Sequence, residues 1–149
     1  MTDKKILILY GTETGNSELL AMDAEKVAES LDFEPTVNAM DEVSLSDMQS
    51  HNNIIIVCST WGDGEQPDNA LDLYEEVEGS SEDSLNGVNF AVLALGDTAF
   101  DLFCEAGIQW DQVLENKGGV RINDRIDCDV DYEDDAEDWI DETLEKFNQ

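Results

Sequence analysis

Ile6-Leu7-Ile8-Leu9-Tyr10-Gly11-Thr12-Glu13-Thr14-Gly15-Asn16-Ser17 is the stretch around which the chain is organised. An apolar run enters a short loop of Gly, Thr, Ser and Asn. A helical pattern leaves it, with Leu19, Leu20, Met22, Val27, Ala28 and Leu31 on roughly one face. This is how an open parallel sheet presents a helix N-terminus to an anion. The loop offers the hydroxyls of Thr12, Thr14 and Ser17, the Asn16 amide and backbone N–H groups, but no Lys or Arg. A phosphate here would be held by neutral donors and the helix dipole. No Gly-Lys-Ser/Thr closes the loop and no Gly-x-Gly-x-x-Gly is present, so neither of those nucleotide motifs applies. Taken alone, the stretch fits equally well a polar βα turn capped by Ser17 or Asn16.

Outward from this stretch, strands and helices alternate. Lys4 to Tyr10 reads as a buried strand and Ser17 to Leu31 as a helix. Phe33 to Met40 reads as a strand whose Pro35 suits an edge. Ser44 to Ser50 is a short helix or turn. Asn53 to Ser59 and Val88 to Gly96 are apolar throughout, as strands covered on both faces are. Helices are expected near Ala70 to Val77 and around Ile108, Val113 and Leu114, the latter stopped by Gly118-Gly119. Val120 to Ile126 is a shorter, more polar strand. Ala136, Trp139, Ile140, Thr143, Leu144 and Phe147 form the stripe of a closing helix. Five such strands predict a doubly wound α/β sheet with parallel, right-handed crossovers. One domain over residues 1–149 is expected, with no repeat or linker.

With 37 acidic and 7 basic residues the net charge is −30, which excludes nucleic acid and anionic membranes as partners and draws basic ones. Salt adaptation would give the same balance. Met1 to Lys5 does not resemble a signal peptide, and no apolar run reaches the length of a membrane span. Cys58, Cys104 and Cys128 lack metal-ligand spacing, and His51 is a lone histidine in a polar loop. Zinc sites and histidine-dependent triads lack their parts. A reduced, cytoplasmic protein without metal is expected.

In an open α/β sheet, ligands bind beyond the carboxyl ends of the strands, where strand order reverses. The loops there are Thr12 to Ser17, Ser59 to Pro67 and Gly96 to Gly107. The second and third carry Trp61 and Phe100 close to a strand end. Two planar side chains beside a phosphate site suit a flat, phosphorylated, aromatic ligand. Phe103 reads as core.

Together, Thr12-Glu13-Thr14-Gly15-Asn16-Ser17, Ser59-Thr60-Trp61-Gly62-Asp63-Gly64 and Leu95-Gly96-Asp97-Thr98-Ala99-Phe100 through Phe103-Cys104 resemble the flavodoxin family over essentially the whole chain. The length and the short segment after Cys104 resemble its short-chain class, which lacks an insertion in the last strand. Arg125 to Tyr132 followed by Trp139 also resembles the FMN domain of sulfite reductase flavoproteins and other diflavin reductases. The resemblance implies strand order 2-1-3-4-5 and bound FMN. By position, Thr12, Glu13, Thr14, Gly15, Asn16 and Ser17 would hold the phosphate, Thr60 would lie near the ribityl chain and ring, and Ser59 belongs to the same cofactor-binding set. Trp61 and Phe100 would sandwich the isoalloxazine. Gly62, Asp63, Gly64, Leu95, Gly96, Asp97, Phe103 and Cys104 complete the cofactor-binding set. In the family the peptide corresponding to Gly62-Asp63 flips to donate to flavin N5, which a glycine makes sterically cheap.

Two departures from the family pattern stand out: Phe100 replaces the usual tyrosine, and Glu13 adds a carboxylate beside the phosphate, so its side chain is expected to face solvent. The resemblance also implies a role. Asp63, Glu65, Asp68, Asp97, Asp101 and Glu105 around a crevice without a cation would oppose an anionic reduced flavin and lower its potential. The expectation is a monomeric one-electron carrier between a basic-faced NAD(P)H–flavodoxin or ferredoxin reductase and acceptor redox enzymes, with no substrate chemistry of its own. Because the chain ends at Gln149, no FAD or nicotinamide domain is expected to follow. The alternatives are an excised FMN domain of a diflavin reductase, a small FMN-dependent NAD(P)H reductase, or a related module without flavin.

Overall fold

Asn53–Ser59 is the strand on which the sheet is built. Six of its seven residues are buried, because they are apolar on both faces or, like Asn53, hydrogen-bonded to neighbouring strands. A computed structural model describes residues 4–11, 16–60, 66–96, 104–129 and 132–148. In chain order the elements are β1 (Lys5–Gly11), α1 (Asn16–Ser30), β2 (Glu34–Ala39), a 3-10 turn (Met40–Glu42), α2 (Leu45–Gln49) and β3 (Asn53–Ser59). They continue with α3 (Asp68–Glu78), β4 (Asn89–Leu95), α4 (Glu105–Asn116), β5 (Val120–Arg121), β6 (Ile126–Cys128) and α5 (Glu133–Phe147).

The sheet runs β2-β1-β3-β4-β5, with β6 also paired to β4, and every pairing is parallel. This is the 2-1-3-4-5 order. Pro35 sits on the edge strand β2, where a residue without an N–H breaks no second ladder. Alternate side chains build two cores. Ile6, Ile8, Ile55, Val57, Ala91 and Leu93 meet α1 and α5; Leu7, Leu9, Ile54, Ile56, Phe90 and Val92 meet α3 and α4. Each such Ile, Leu, Val or Phe side chain, fully buried, contributes about 1.5–3 kcal/mol.

Two expectations change. On α1 the buried stripe is Leu20, Ala21, Ala24 and Ala28, whereas Leu19 is 59% and Met22 45% exposed. The stripe follows the small residues because alanines let the helix lie close to the sheet. The fifth strand is also broken: β5 ends at Arg121 and β6 begins at Ile126, so Val120 to Ile126 is not one strand. The intervening groups have other partners. Asn123 Nδ2 donates to Thr143 Oγ1 at 2.9 Å, Trp139 Nε1 donates to the Asp124 carbonyl at 2.9 Å, and both arginines reach Asp111 on α4.

α4 rests on β4 at Gly107, where a Cβ would come within 2.2 Å of Ala94 Cβ. Alanine would favour the helix by about 1 kcal/mol, but overlap in a packed interior costs about 1–3 kcal/mol. The steric cost wins. Gly107→Ala should therefore lower the unfolding midpoint in urea, corresponding to a net loss of up to about 2 kcal/mol.

Candidate functional site

The carboxyl ends of β1, β3 and β4 lie side by side, since Gly11 pairs with Cys58 and Ser59 with Leu95. Their following loops therefore open at one end of the sheet. α1 starts at Asn16, directly after the first loop, which aims its free N–H groups there. Ser17 is fully buried, and its hydroxyl lies 2.7 Å from that of Ser59. One hydroxyl of such a pair donates to the other, and the acceptor keeps a proton to donate to a ligand.

Thr60 extends this chain of contacts. Its N–H donates to the Leu95 carbonyl at 3.0 Å, and its Oγ1 accepts the Ala106 N–H at 3.0 Å. Cys104, at the N-cap of α4, makes no side-chain cap hydrogen bond. Thr60 thus supplies an acceptor to the first turn of that helix, while its own hydroxyl proton remains available to a ligand.

At β4 the Leu95 side chain is turned into the core, and Gly96 N–H donates to the Cys128 carbonyl at 2.9 Å. A Cβ on Gly96 would meet Cys104 N at 2.8 Å, so only glycine permits this approach. Cys104 itself has φ 56° and ψ 23°, a left-handed conformation that costs a residue with a Cβ about 1–2 kcal/mol. Such strain is concentrated at functional sites. Thr12, Glu13, Thr14, Gly15, Trp61, Gly62, Asp63, Gly64, Asp97, Phe100 and Phe103 lie outside the described residues, as do the side chains of Asn16 and Asp68. The sandwich, the Gly62-Asp63 flip and the orientation of Glu13 fall with them.

Sequence reading missed Gln66, which is 7% exposed and joins the β3 loop to α4. Its Nε2 donates to the Ala106 carbonyl and to Gln109 Oε1, both at 3.0 Å, and its Oε1 accepts Trp110 Nε1–H at 3.0 Å. A polar residue before Pro67 was visible, but no spacing links it to Trp110.

The site end is negative. Tyr10, at the end of β1, has its hydroxyl pushed up to about 12 by burial and then by Glu18, with Glu42 and Asp41 adding to it. The basic residues do not offset this. Arg121 binds Asp111 at 2.9 Å and Glu115 at 2.6 Å; Arg125 binds Asp127 at 2.7 Å and Asp111 at 3.1 Å. Lys4 and Lys5 stand at the opposite, amino end of β1, and Lys117 Nζ is held by the Ser80 carbonyl in the connection before β4. Lys26 and Lys146 belong to the second halves of α1 and α5.

The buried Ser17, the half-buried Ser59 and Thr60 hydroxyls, the helix N-terminus and the close backbone approach at Gly96 fit a phosphorylated ligand lying across the strand ends. The fold defines a doubly wound α/β protein. The flavodoxin family model matches residues 8–141. The chain belongs to the flavodoxin family.

It is 41% identical over 146 residues to the sulfite reductase [NADPH] flavoprotein alpha-component of Bacillus subtilis, a match spanning 98% of this chain and 24% of that protein. The Vibrio parahaemolyticus counterpart is 33% identical over 97% of this chain and 23% of its own length. The chain thus spans about a quarter of the length of these curated relatives. Among solved structures, a Streptococcus pneumoniae flavodoxin superposes with a TM-score of 0.86 at 27% identity, covering 96% of this chain and 97% of that one. Flavodoxin 2 of Bacillus cereus gives 0.84 at 28% identity, again over 96% and 97%. The flavodoxin family is one of FMN-containing electron carriers.

No metal-ligand cluster occurs among the described residues, and none of their helices is long and apolar enough to cross a membrane. His51 is half-buried, with Nδ1 2.9 Å from the Asp47 carbonyl. The three cysteines are free and buried. Burial raises all three thiols: Cys104 from 9.0 to about 12, Cys128 to about 11 and Cys58 further still. A raised pKa means that the proton is held to higher pH, so at pH 8 the Cys104 thiolate is roughly one molecule in ten thousand. A thiol reagent at pH 8 should leave all three unmodified in the folded protein and label all three in urea, as read by mass spectrometry.

Proposed function

We propose that this chain is a low-potential one-electron carrier with no substrate chemistry of its own. Residues 1–149 form one FMN-binding domain, working as a monomer in the cytoplasm. The supporting observation is the placement of its cations: two arginines are bound by carboxylates and five lysines lie toward the far end of the sheet.

FMN supplies the one-electron redox chemistry when bound. The protein's part is to hold the group and set its energetics. Thr12, Glu13, Thr14, Gly15, Asn16 and Ser17 take the phosphate through hydroxyls and N–H groups. Ser59 and Thr60 steer the ribityl chain, with the Thr60 hydroxyl proton free to donate. Trp61 and Phe100 flank the ring, Gly62, Asp63, Gly64, Asp97 and Cys104 meet its polar edge through backbone groups, and Leu95, Gly96 and Phe103 shape the pocket. Glu13 faces solvent, away from the dianion. A site without a mobile cation disfavours extra negative charge on the ligand, so the second electron enters at low potential.

The acidic surface suits a basic-faced NAD(P)H–flavodoxin or ferredoxin reductase as donor and redox enzymes as acceptors. A second reading is supported by the 41% identity to about a quarter of a sulfite reductase flavoprotein component. There the same carrier role is performed as the FMN part of a longer reductase.

Stepwise anaerobic reduction followed by visible spectroscopy tests the carrier. Two separated one-electron steps are expected, the second needing a strong reductant. Bleaching in a single step would favour a two-electron reductase, and failure to take up FMN would refute the carrier. With a basic-faced reductase, electron transfer should slow as ionic strength rises from about 0.01 M to about 1 M, because screening shortens the range of the attraction.

A further inference from the structure

Gln66 uses every polar group of its side chain in a buried setting. Nε2 donates to the Ala106 carbonyl and to Gln109 Oε1. Oε1 accepts from Trp110 Nε1 at 3.0 Å and from Cys58 Sγ at 3.6 Å. Thr60, on the other side of residues 61–65, holds the same residue of α4, its Oγ1 accepting the Ala106 N–H. Ala106 is thus bound on its N–H by one flank of this segment and on its carbonyl by the other.

Ala106 also lies two residues beyond Cys104, where the β4 loop passes into α4. One peptide neighbourhood therefore fastens the loops after β3 and β4 to each other. Buried polar groups with all partners in place specify one arrangement, because losing any partner strands the others away from water. A neutral amide does this without bringing a cation to the crevice.

We propose that Gln66 is a positioning residue: by locking the flank of the β3 loop to Ala106, Gln109 and Trp110, it sets how Trp61, Gly62 and Asp63 engage the flavin ring. The proposal rests on assigning those three residues to the ring. Gln66 acts through them.

Gln66→Met keeps the length and approximate volume of the side chain and removes the amide. Gln109→Ala, on a half-exposed residue, removes one acceptor with little risk to the fold. FMN affinity, both midpoint potentials and apoprotein melting are measured for each variant and the parent. For Gln66→Met, affinity should fall about tenfold, and the two potentials should converge by a tenfold change in equilibrium, about 59 mV for a one-electron couple. Gln109→Ala should shift both readouts the same way by less. Unmoved potentials in both variants, whatever happens to melting, would make Gln66 a packing residue and overturn the proposal. If Gln66→Met does not fold, Gln109→Ala decides alone by the same criterion. A parent protein that binds no FMN would overturn the ring assignment and this proposal together.

Discussion

The structure depends on β1, β3 and β4 being buried on both faces. Ile6 to Leu9, Ile54 to Cys58 and Phe90 to Ala94 have almost no solvent contact. A strand with two apolar faces must be covered on both sides, and a parallel strand must be reached by a crossover. Helices on both faces follow, and every βα loop after a strand then opens at the same end. The ligand site is thus a topological consequence of where the isoleucines, leucines and valines fall. Its individual contacts come from the polar residues that end those strands.

The second organising feature is charge placement. A net charge of −30 could have been spread evenly, with the few cations near the anionic ligand. Instead Asp111 holds Arg121 and Arg125 together, with Glu115 and Asp127 binding their remaining donors. Between the two short strands at the fifth position of the sheet, Asn123 and Asp124 bond to α5 and Arg125 to Asp111 on α4. Closing the sheet and keeping positive charge immobile are done by one set of side chains. The cost is a nearly buried carboxylate, tolerable because two guanidiniums satisfy it.

The strands were legible because short apolar runs bounded by turn residues alternate with helical patterns, whereas their order was legible only through the family resemblance. α5 was legible as well: all six residues of its stripe are buried. α1 was read less well. Leu19 and Met22 count as apolar in any pattern, yet Leu20, Ala21, Ala24 and Ala28 face the sheet, because distance of approach favours small residues over hydrophobic ones. The last strand misled in another way. Val120, Ile122 and Ile126 alternate as a strand should, and nothing local shows that Asn123 and Asp124 bond to α5 instead.

The sequence by itself determined the fold class and, through three motifs at strand ends, the family. These depend on local pattern and on topology rules that hold for any parallel sheet. Only the tertiary structure decided which polar groups pair across it: Ser17 with Ser59, Thr60 and Gln66 with Ala106, and both arginines with Asp111. Such pairs join residues far apart in the chain, so no local periodicity encodes them; they arise when packed helices bring those groups within hydrogen-bonding distance.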